Sequence, residues 1–216
     1  RPPGWRGLVC ARGGSRSARM VWNTGRIDIL VNNAGYAAGG LVEDLPLETW
    51  RSQMEVNVFG LIAVTRTVIP FMRKQRNGKI INVSSISGLV GLPGFGPYAA
   101  SKFAVEGFSE SLRHELRDWG IQVVLVDLEH TNGYMVQGFA TMADSAEAQN
   151  RKKIKSLKQR VQKTAAAAGD PLDVANRISA TCDYETPPLP LYHWAKCKID
   201  ALREIMFTLE HVGTAS

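Results

Sequence analysis

The sequence predicts an α/β protein built on a doubly wound parallel sheet. Three observations carry this. Residues 27–33, 79–84 and 122–128 are short, near-continuous apolar runs, the pattern of strands buried on both faces. Helix-period segments at 47–76 and 97–119 alternate with them, and that alternation marks a parallel sheet with helices on both faces. The chain has 216 residues, which suits a single domain, and its 44% hydrophobic content is enough for a real core.

Taken in order, residues 1–26 are atypical. Six Arg, no Lys and no acidic residue precede Asp28. Gly13-Gly14 reads as having no apolar strand before it, so this segment is expected to supply neither a strand nor a phosphate-binding turn. Residues 17–24 read as the end of a helix leading into the strand at 27–33. The helix over 47–76 should be interrupted near 57–60 and again near Pro70. Pro97 suits the first turn of the next helix, where its missing N–H has no partner to lose. That helix should bury Phe103, Leu112 and Leu116 and stop at Gly120. Residues 135–168 read as helical and charged. Asp170 caps a short helix over 171–181, residues 186–191 with three prolines are extended, and a last helix spans 193–210, with Ile199, Leu202, Met206 and Leu209 at helical spacing.

The net charge of +6 raises nucleic acid as a partner, but the basic residues form no continuous surface in sequence. One concentration is the amino end; the other runs from Arg151 to Arg160. There Ile154, Leu157 and Val161 fall at helical spacing, so the segment reads as a solvated helix face rather than a phosphate or membrane patch. No base-reading motif or aromatic platform accompanies either segment, which argues against nucleic acid. Cys10, Cys182 and Cys197 are odd in number and widely spaced. They support neither a disulfide framework nor a metal site, and fit reduced thiols in a cytoplasm. No uninterrupted apolar run approaches the roughly 20 residues that span a bilayer, and the Arg-rich amino end has no apolar stretch behind it to make a signal peptide.

The chemistry is concentrated in Tyr98 and Lys102, within Gly96-Pro97-Tyr98-Ala99-Ala100-Ser101-Lys102. Four-residue spacing puts phenol and ammonium on one helix face. A phenol's ordinary pKa of about 10 is wrong for proton transfer near neutrality, and a neighbouring cation is expected to lower it. Ser85 ends the strand thirteen residues before Tyr98. Strand alternation sends Ser84 to the opposite face. A phenol, a cation and a hydroxyl able to hold a carbonyl are the parts needed to move a proton onto or off an alcohol oxygen.

These residues keep company with three further motifs. Asp28-Ile29-Leu30-Val31-Asn32-Asn33-Ala34-Gly35 is an apolar strand running into a small-residue turn. Asn57 sits in Val56-Asn57-Val58-Phe59-Gly60, and Gly78-Lys79-Ile80-Ile81-Asn82-Val83-Ser84-Ser85 is a second strand. In this order and spacing, from about residue 26 to 126, they resemble the short-chain dehydrogenase/reductase family. The resemblance implies a Rossmann-like fold and NAD(P)-dependent interconversion of a secondary alcohol and a ketone, with NADP or NAD as cofactor. It implies four catalytic residues. Tyr98 would be general acid or base, and Lys102 would lower its pKa and bond the cofactor ribose. Ser85 would bind the substrate oxygen, and Asn57 would sustain a water path to Lys102. Asn32, Ala34 and Gly35, together with Tyr98 and Lys102, would bind cofactor. Residues 129–169 would cover a lipophilic small-molecule substrate, and the long helices would pair subunits into a homodimer or homotetramer.

Two departures stand out. The family's Thr-Gly-x-x-x-Gly-x-Gly turn is not found, and only 31 residues precede Asn32. The expectation is an SDR-like domain truncated at its amino end, with the strand at 27–33 left at an exposed edge and weak cofactor binding. In addition, Glu129 stands where the family usually has Gly beside the nicotinamide. The alternative function is a catalytically inactive family member that acts only as an interaction protein.

Overall fold

A computed structural model describes residues 8–11, 26–128, 145, 147–166, 172, 175–176 and 178–179. Ile29-Leu30-Val31-Asn32 forms strand β2 (Ile29–Asn32), buried at all four positions. Strand β3 (Gly78–Ser85) is buried throughout, and β4 (Ile121–Leu128) follows beyond the next helix. The predicted strand at 27–33 is shorter at both ends. Gln75 explains its late start: its side-chain amide bonds both the N–H of Ile27 (2.9 Å) and the C=O of Ile27 (2.7 Å). At the far end Asn33 is exposed.

The sheet corrects the expected exposed edge. Leu8–Ala11 forms a strand, β1, parallel to β2, with Leu8 opposite Ile29 and Ala11 opposite Asn32. The order is β1-β2-β3-β4, every pair parallel. Thus β2 is an interior strand, and an apolar strand does stand before Gly13-Gly14. Four residues between Arg-rich flanks are too short a run for a periodicity argument. What places them is the row of backbone donors and acceptors that β2 would otherwise leave unpaired.

Period-two alternation divides the core. Leu30, Ile80 and Val123 point to one face and pack with Val68, Met72, Leu112 and Leu116 from the helices. Ile29, Val31, Ile81, Val83, Val124 and Val126 form the opposite face, with Ile178 packed against it. The segment predicted as one helix over 47–76 is two: α1 (Leu47–Met54) and α2 (Gly60–Gln75), joined by a π-helical turn, Glu55–Phe59. The interruption falls where Asn57 predicts it. Pro70 does not break α2, because it lies on an exposed side where water can satisfy the carbonyl it leaves unbonded.

Helix α3 (Gly96–Leu116) carries Pro97 in its first turn and runs into a 3₁₀ turn, Arg117–Trp119. Leu112 and Leu116 are buried as expected, but Phe103 is 48% exposed. Nine residues separate Phe103 from Leu112, about half a turn out of phase at 3.6 residues per turn, so the two cannot share a face. Gly120 ends the run in the left-handed region (φ 67°), and a Cβ there would lie 2.6 Å from the Arg76 carbonyl oxygen. Arg73 and Arg76 stack on the Trp119 ring at 4.7 and 4.8 Å, clasping the ends of α2 and α3.

Helix α4 (Ala148–Ala166) lies within the predicted 135–168 stretch, and residues 135–144 fall outside the described ones. Ser145 accepts from the N–H of Glu147 at 3.2 Å and donates to Asp44 at 2.7 Å; Asn150 donates to Glu43 at 2.6 Å. These bonds hold the start of α4 over the short turn Val42–Asp44. Leu172, Ala175, Asn176, Ile178 and Ser179 are helical, as expected for 171–181. The expected elements at 186–191 and 193–210, like Cys182 and Cys197, lie outside the described residues.

By length and composition alone, Leu47–Gln75 is long and apolar enough to cross a membrane. Its buried Gln53, Asn57 and Thr65 instead bond groups inside this domain.

Candidate active site

Three elements converge on the C-terminal end of β3. The last residue of that strand is Ser85, 3% exposed, whose Oγ accepts from the Ser87 N–H at 3.2 Å. The first turn of α3 presents Tyr98, 8% exposed. The Ser85 hydroxyl lies close enough to hydrogen-bond the phenol. One turn on, Lys102 is as deeply buried; its Nζ donates to the Val83 carbonyl at 2.9 Å and sits 5.7 Å from the Tyr98 ring centroid. Ser84, buried and opposite Asp127 in the β3–β4 register, lies beside Gly88.

The electrostatics differ from the sequence expectation in one respect. Burial raises the Tyr98 phenol above its ordinary value, and the Ser85 bond only partly opposes this. The Lys102 ammonium is held at the Val83 carbonyl, 5.7 Å from the Tyr98 ring centroid. Burial also lowers Lys102 itself, to about 8, against the pull of Glu106 and Asp127. Each shift follows from the cost of a charge out of water.

Asn57, 2% exposed, lies inside the π turn. Its Oδ1 accepts from the Tyr36 N–H, and its Nδ2 donates to the Tyr36 carbonyl and to Ser101 Oγ, each at 3.0 Å. Ser101 Oγ in turn donates to the Tyr98 carbonyl at 2.7 Å. Asn57 thus ties the turn after β2 to the helix that carries Tyr98, and bonds Lys102 through neither of its amide atoms. The π turn supplies the extra residue that aims Asn57 inward.

Ala34 and Gly35 are half-buried on that same turn. A Cβ at Gly35 would stand 3.1 Å from Asn57 Oδ1, so only a minimal residue lets the turn approach. The Asn32 side chain, 3% exposed, faces the interior, donating to Asn82 Oδ1 at 2.8 Å and to Thr65 Oγ1 at 3.0 Å, so it braces β2 against β3 and α2. Glu129 lies outside the described residues.

Several residues were missed from sequence. Gln53, fully buried, holds Tyr36 O and Ala38 N at 2.7 Å each, and its position one turn before Asn57 was the available signal. Glu106 continues the four-residue stripe of Tyr98 and Lys102. Nothing in the sequence marks Ser101 beyond its place inside Tyr-x-x-x-Lys.

The residues present fit a nicotinamide cofactor on donor chemistry. Among the described residues, Lys102 Nζ spends one of its three donors on Val83, leaving others for ribose hydroxyls. Apolar Ala37, Phe95 and Ile154 surround Tyr98, with the Phe95 ring 6.4 Å away.

Comparison with known proteins agrees with this geometry. A family model for short chain dehydrogenases matches residues 16–144. The chain is 50% identical over 161 residues to the uncharacterized oxidoreductase YusZ of Bacillus subtilis, covering 70% of this chain and 55% of that protein. It is 48% identical over 108 residues to a 3-ketodihydrosphingosine reductase of Bacteroides thetaiotaomicron, covering 50% and 40%. The chain spans about half the length of the curated relatives it matches. Among solved structures, a short-chain dehydrogenase from Streptomyces avermitilis superposes with a TM-score of 0.71 at 30% identity, over 91% of this chain and 74% of that one. The fold also matches an NAD+-bound xylitol dehydrogenase, with a TM-score of 0.64 at 24% identity, over 80% and 68%. With the parallel sheet, Tyr98 and Lys102 one turn apart and a family model spanning more than half its length, the chain belongs to the short-chain dehydrogenase family.

Proposed function

We propose that this chain is an NAD(P)-dependent oxidoreductase that interconverts a secondary alcohol and a ketone. The observation that carries the reading is the buried Ser85–Tyr98 pair with Lys102 against the phenol ring. When bound, the nicotinamide supplies or accepts hydride. Ser85 holds the substrate oxygen by a hydrogen bond. Tyr98 gives that oxygen its proton in reduction and takes it back in oxidation. Lys102 holds ribose hydroxyls and keeps a positive charge beside the ring. Asn57 fixes the Tyr36 backbone relative to α3, so the cofactor side and the proton donor keep one geometry. The turn at Ala34 and Gly35 lines the cofactor, with Asn32 behind it.

A lipophilic substrate is favoured by Ala37, Phe95 and Ile154 around Tyr98. The name of one relative, a 3-ketodihydrosphingosine reductase, points the same way. A cytoplasmic site of action belongs to the same proposal. Titration calorimetry of the chain with NADH and NADPH tests the reading and distinguishes the two nucleotides. Micromolar affinity for either supports it; no heat with either favours an interaction protein instead.

That second reading has its own observation. Phe59 and Phe103 are 54% and 48% exposed, on elements that pack against each other. Exposed aromatics on adjacent elements suit a subunit interface. We expect a homodimer or homotetramer through this face, and Phe59→Glu with Phe103→Glu should yield monomer by sedimentation. A wild-type chain that is monomeric at micromolar concentration removes this interface.

A further inference from the structure

Behind the proposed proton donor lies a second polar cluster that the reaction as described does not use. Glu106 follows Lys102 by one turn of α3 and is 7% exposed. Asp127 lies on β4 directly opposite Ser84 of β3 in the parallel register, so their side chains share a face. Ser84 is 1% exposed. Gly88 closes the cluster: a Cβ there would meet Ser84 Oγ and Glu106 Cγ at 3.0 Å each. Both Glu106 oxygens, Asp127 Oδ1 and Ser84 Oγ are buried without a hydrogen bond of good geometry to any other described group. They nevertheless lie near enough for the two carboxyls and the Ser84 hydroxyl to alter one another's proton affinity.

Two carboxylates so placed cannot both ionise. Their mutual repulsion adds to the cost of burial, and a proton held between them removes the repulsion and leaves a single buried charge. Lys102 faces the opposite problem: a buried ammonium needs a negative charge within reach. We propose that Glu106 and Asp127 act as one acid–carboxylate pair sharing a single proton, whose one negative charge keeps Lys102 an ammonium and so makes both of them positioning residues for the reaction.

The inference rests on the proposed oxidoreductase reading only for what Lys102 is needed to do. The charge balance itself belongs to the fold. Among the described residues, the titratable groups facing the pair are Lys102 from α3 and each carboxyl from the other's element. β3 contributes the Ser84 hydroxyl, and the turn Ile86–Gly88 contributes no charge. Burial and Asp127 push Glu106 up to about 8, while the Glu106 contact pulls Asp127 down from the level burial would give it. Both carboxyls are raised by burial, so the proton belongs to the pair.

Sharing makes a distinctive prediction, because either carboxyl alone can supply the one charge. Glu106→Gln leaves Asp127 ionised. Asp127→Asn frees Glu106 to ionise. Only Glu106→Gln with Asp127→Asn leaves Lys102 without a counter-charge. The measurement is the titration of Lys102 Cε by NMR in the full chain, needing neither nucleotide nor activity. Each single variant should leave the Lys102 midpoint near that of the parent, and the double variant should lower it by about one unit or more. A single variant that shifts Lys102 as far as the double, or a double that shifts nothing, overturns the proposal.

Should the double variant fail to fold, infrared spectra of the parent decide. At neutral pH a buried acid carbonyl band should be present and vanish in Glu106→Gln, and its absence from the parent also overturns the proposal. Folding stability gives the same sign. With Glu106 raised from 4.5 to about 8, its contribution is full below pH 4.5 and lost as the pH rises through about 8; Glu106→Gln should flatten that loss. A chain that binds no nucleotide yet shows the band and the redundancy would refute the oxidoreductase reading and leave the pair standing.

Discussion

Replacing Tyr98 with Phe is expected to abolish the ketone reduction proposed for this protein. Phe keeps the ring packed among Ala37, Phe95 and Ile154 and removes only the hydroxyl. The loss should be about a thousandfold in kcat, roughly 4 kcal/mol of barrier, within the range for a positioned acid or base. Burial supports the direction. A phenol pushed above its ordinary value is fully protonated at neutral pH, the form that donates in reduction. Oxidation needs the phenolate, so without a further cation at the oxygen its rate should rise into alkaline pH. Steady-state rates with ketone and alcohol across pH check both statements. Reduction within about tenfold of the parent would remove Tyr98 from the mechanism.

Asn82→Ala should be among the most damaging single changes to folding. Asn82 is fully buried and opposite Asn32 in the sheet. It accepts from Asn32 Nδ2 at 2.8 Å and donates to Ser109 Oγ at 2.8 Å, and Ser109 donates to the Val105 carbonyl at 2.6 Å. Asn32 also bonds Thr65 at 3.0 Å. One amide therefore joins β2, β3 and α3, with α2 linked through Asn32. Alanine removes the amide, leaves the Asn32 donor and Ser109 acceptor short of a partner, and opens a small void. About 3 kcal/mol of destabilisation is expected, read as a lower urea midpoint with unchanged slope. A change under about 1 kcal/mol would mean that water replaces the lost bonds.

Most of this site was legible because its chemistry is local. Tyr98 and Lys102 declare their relation by helical spacing and Ser85 by strand alternation, whereas Asn57 is marked by the family resemblance alone. What stayed hidden depends on approach in three dimensions. The side chain of Asn32 turns inward because Asn82 and Thr65 await it across 50 and 33 residues. Glu106 sits in plain sight on the Tyr98 stripe, but its meaning requires Asp127, which only the β3–β4 register brings near. Strand β1 was missed for a different reason. Its four residues carry too little pattern, and the unpaired side of β2 selects them.

The π turn at Glu55–Phe59 also sets a phase. A π turn accommodates one residue more than an α turn, and one residue corresponds to about 100° around a helix. The faces of α1 and α2 are therefore offset by roughly that angle relative to a continuous helix. Gln53 reaches the turn after β2 while Val68 and Met72 reach the sheet. Deleting Val56 alone would let the segment close into one regular helix. Every residue beyond it would then rotate against either the sheet or the turn, and the two halves could no longer both be seated. In this protein the length of a helix, counted to the single residue, is itself a structural specification.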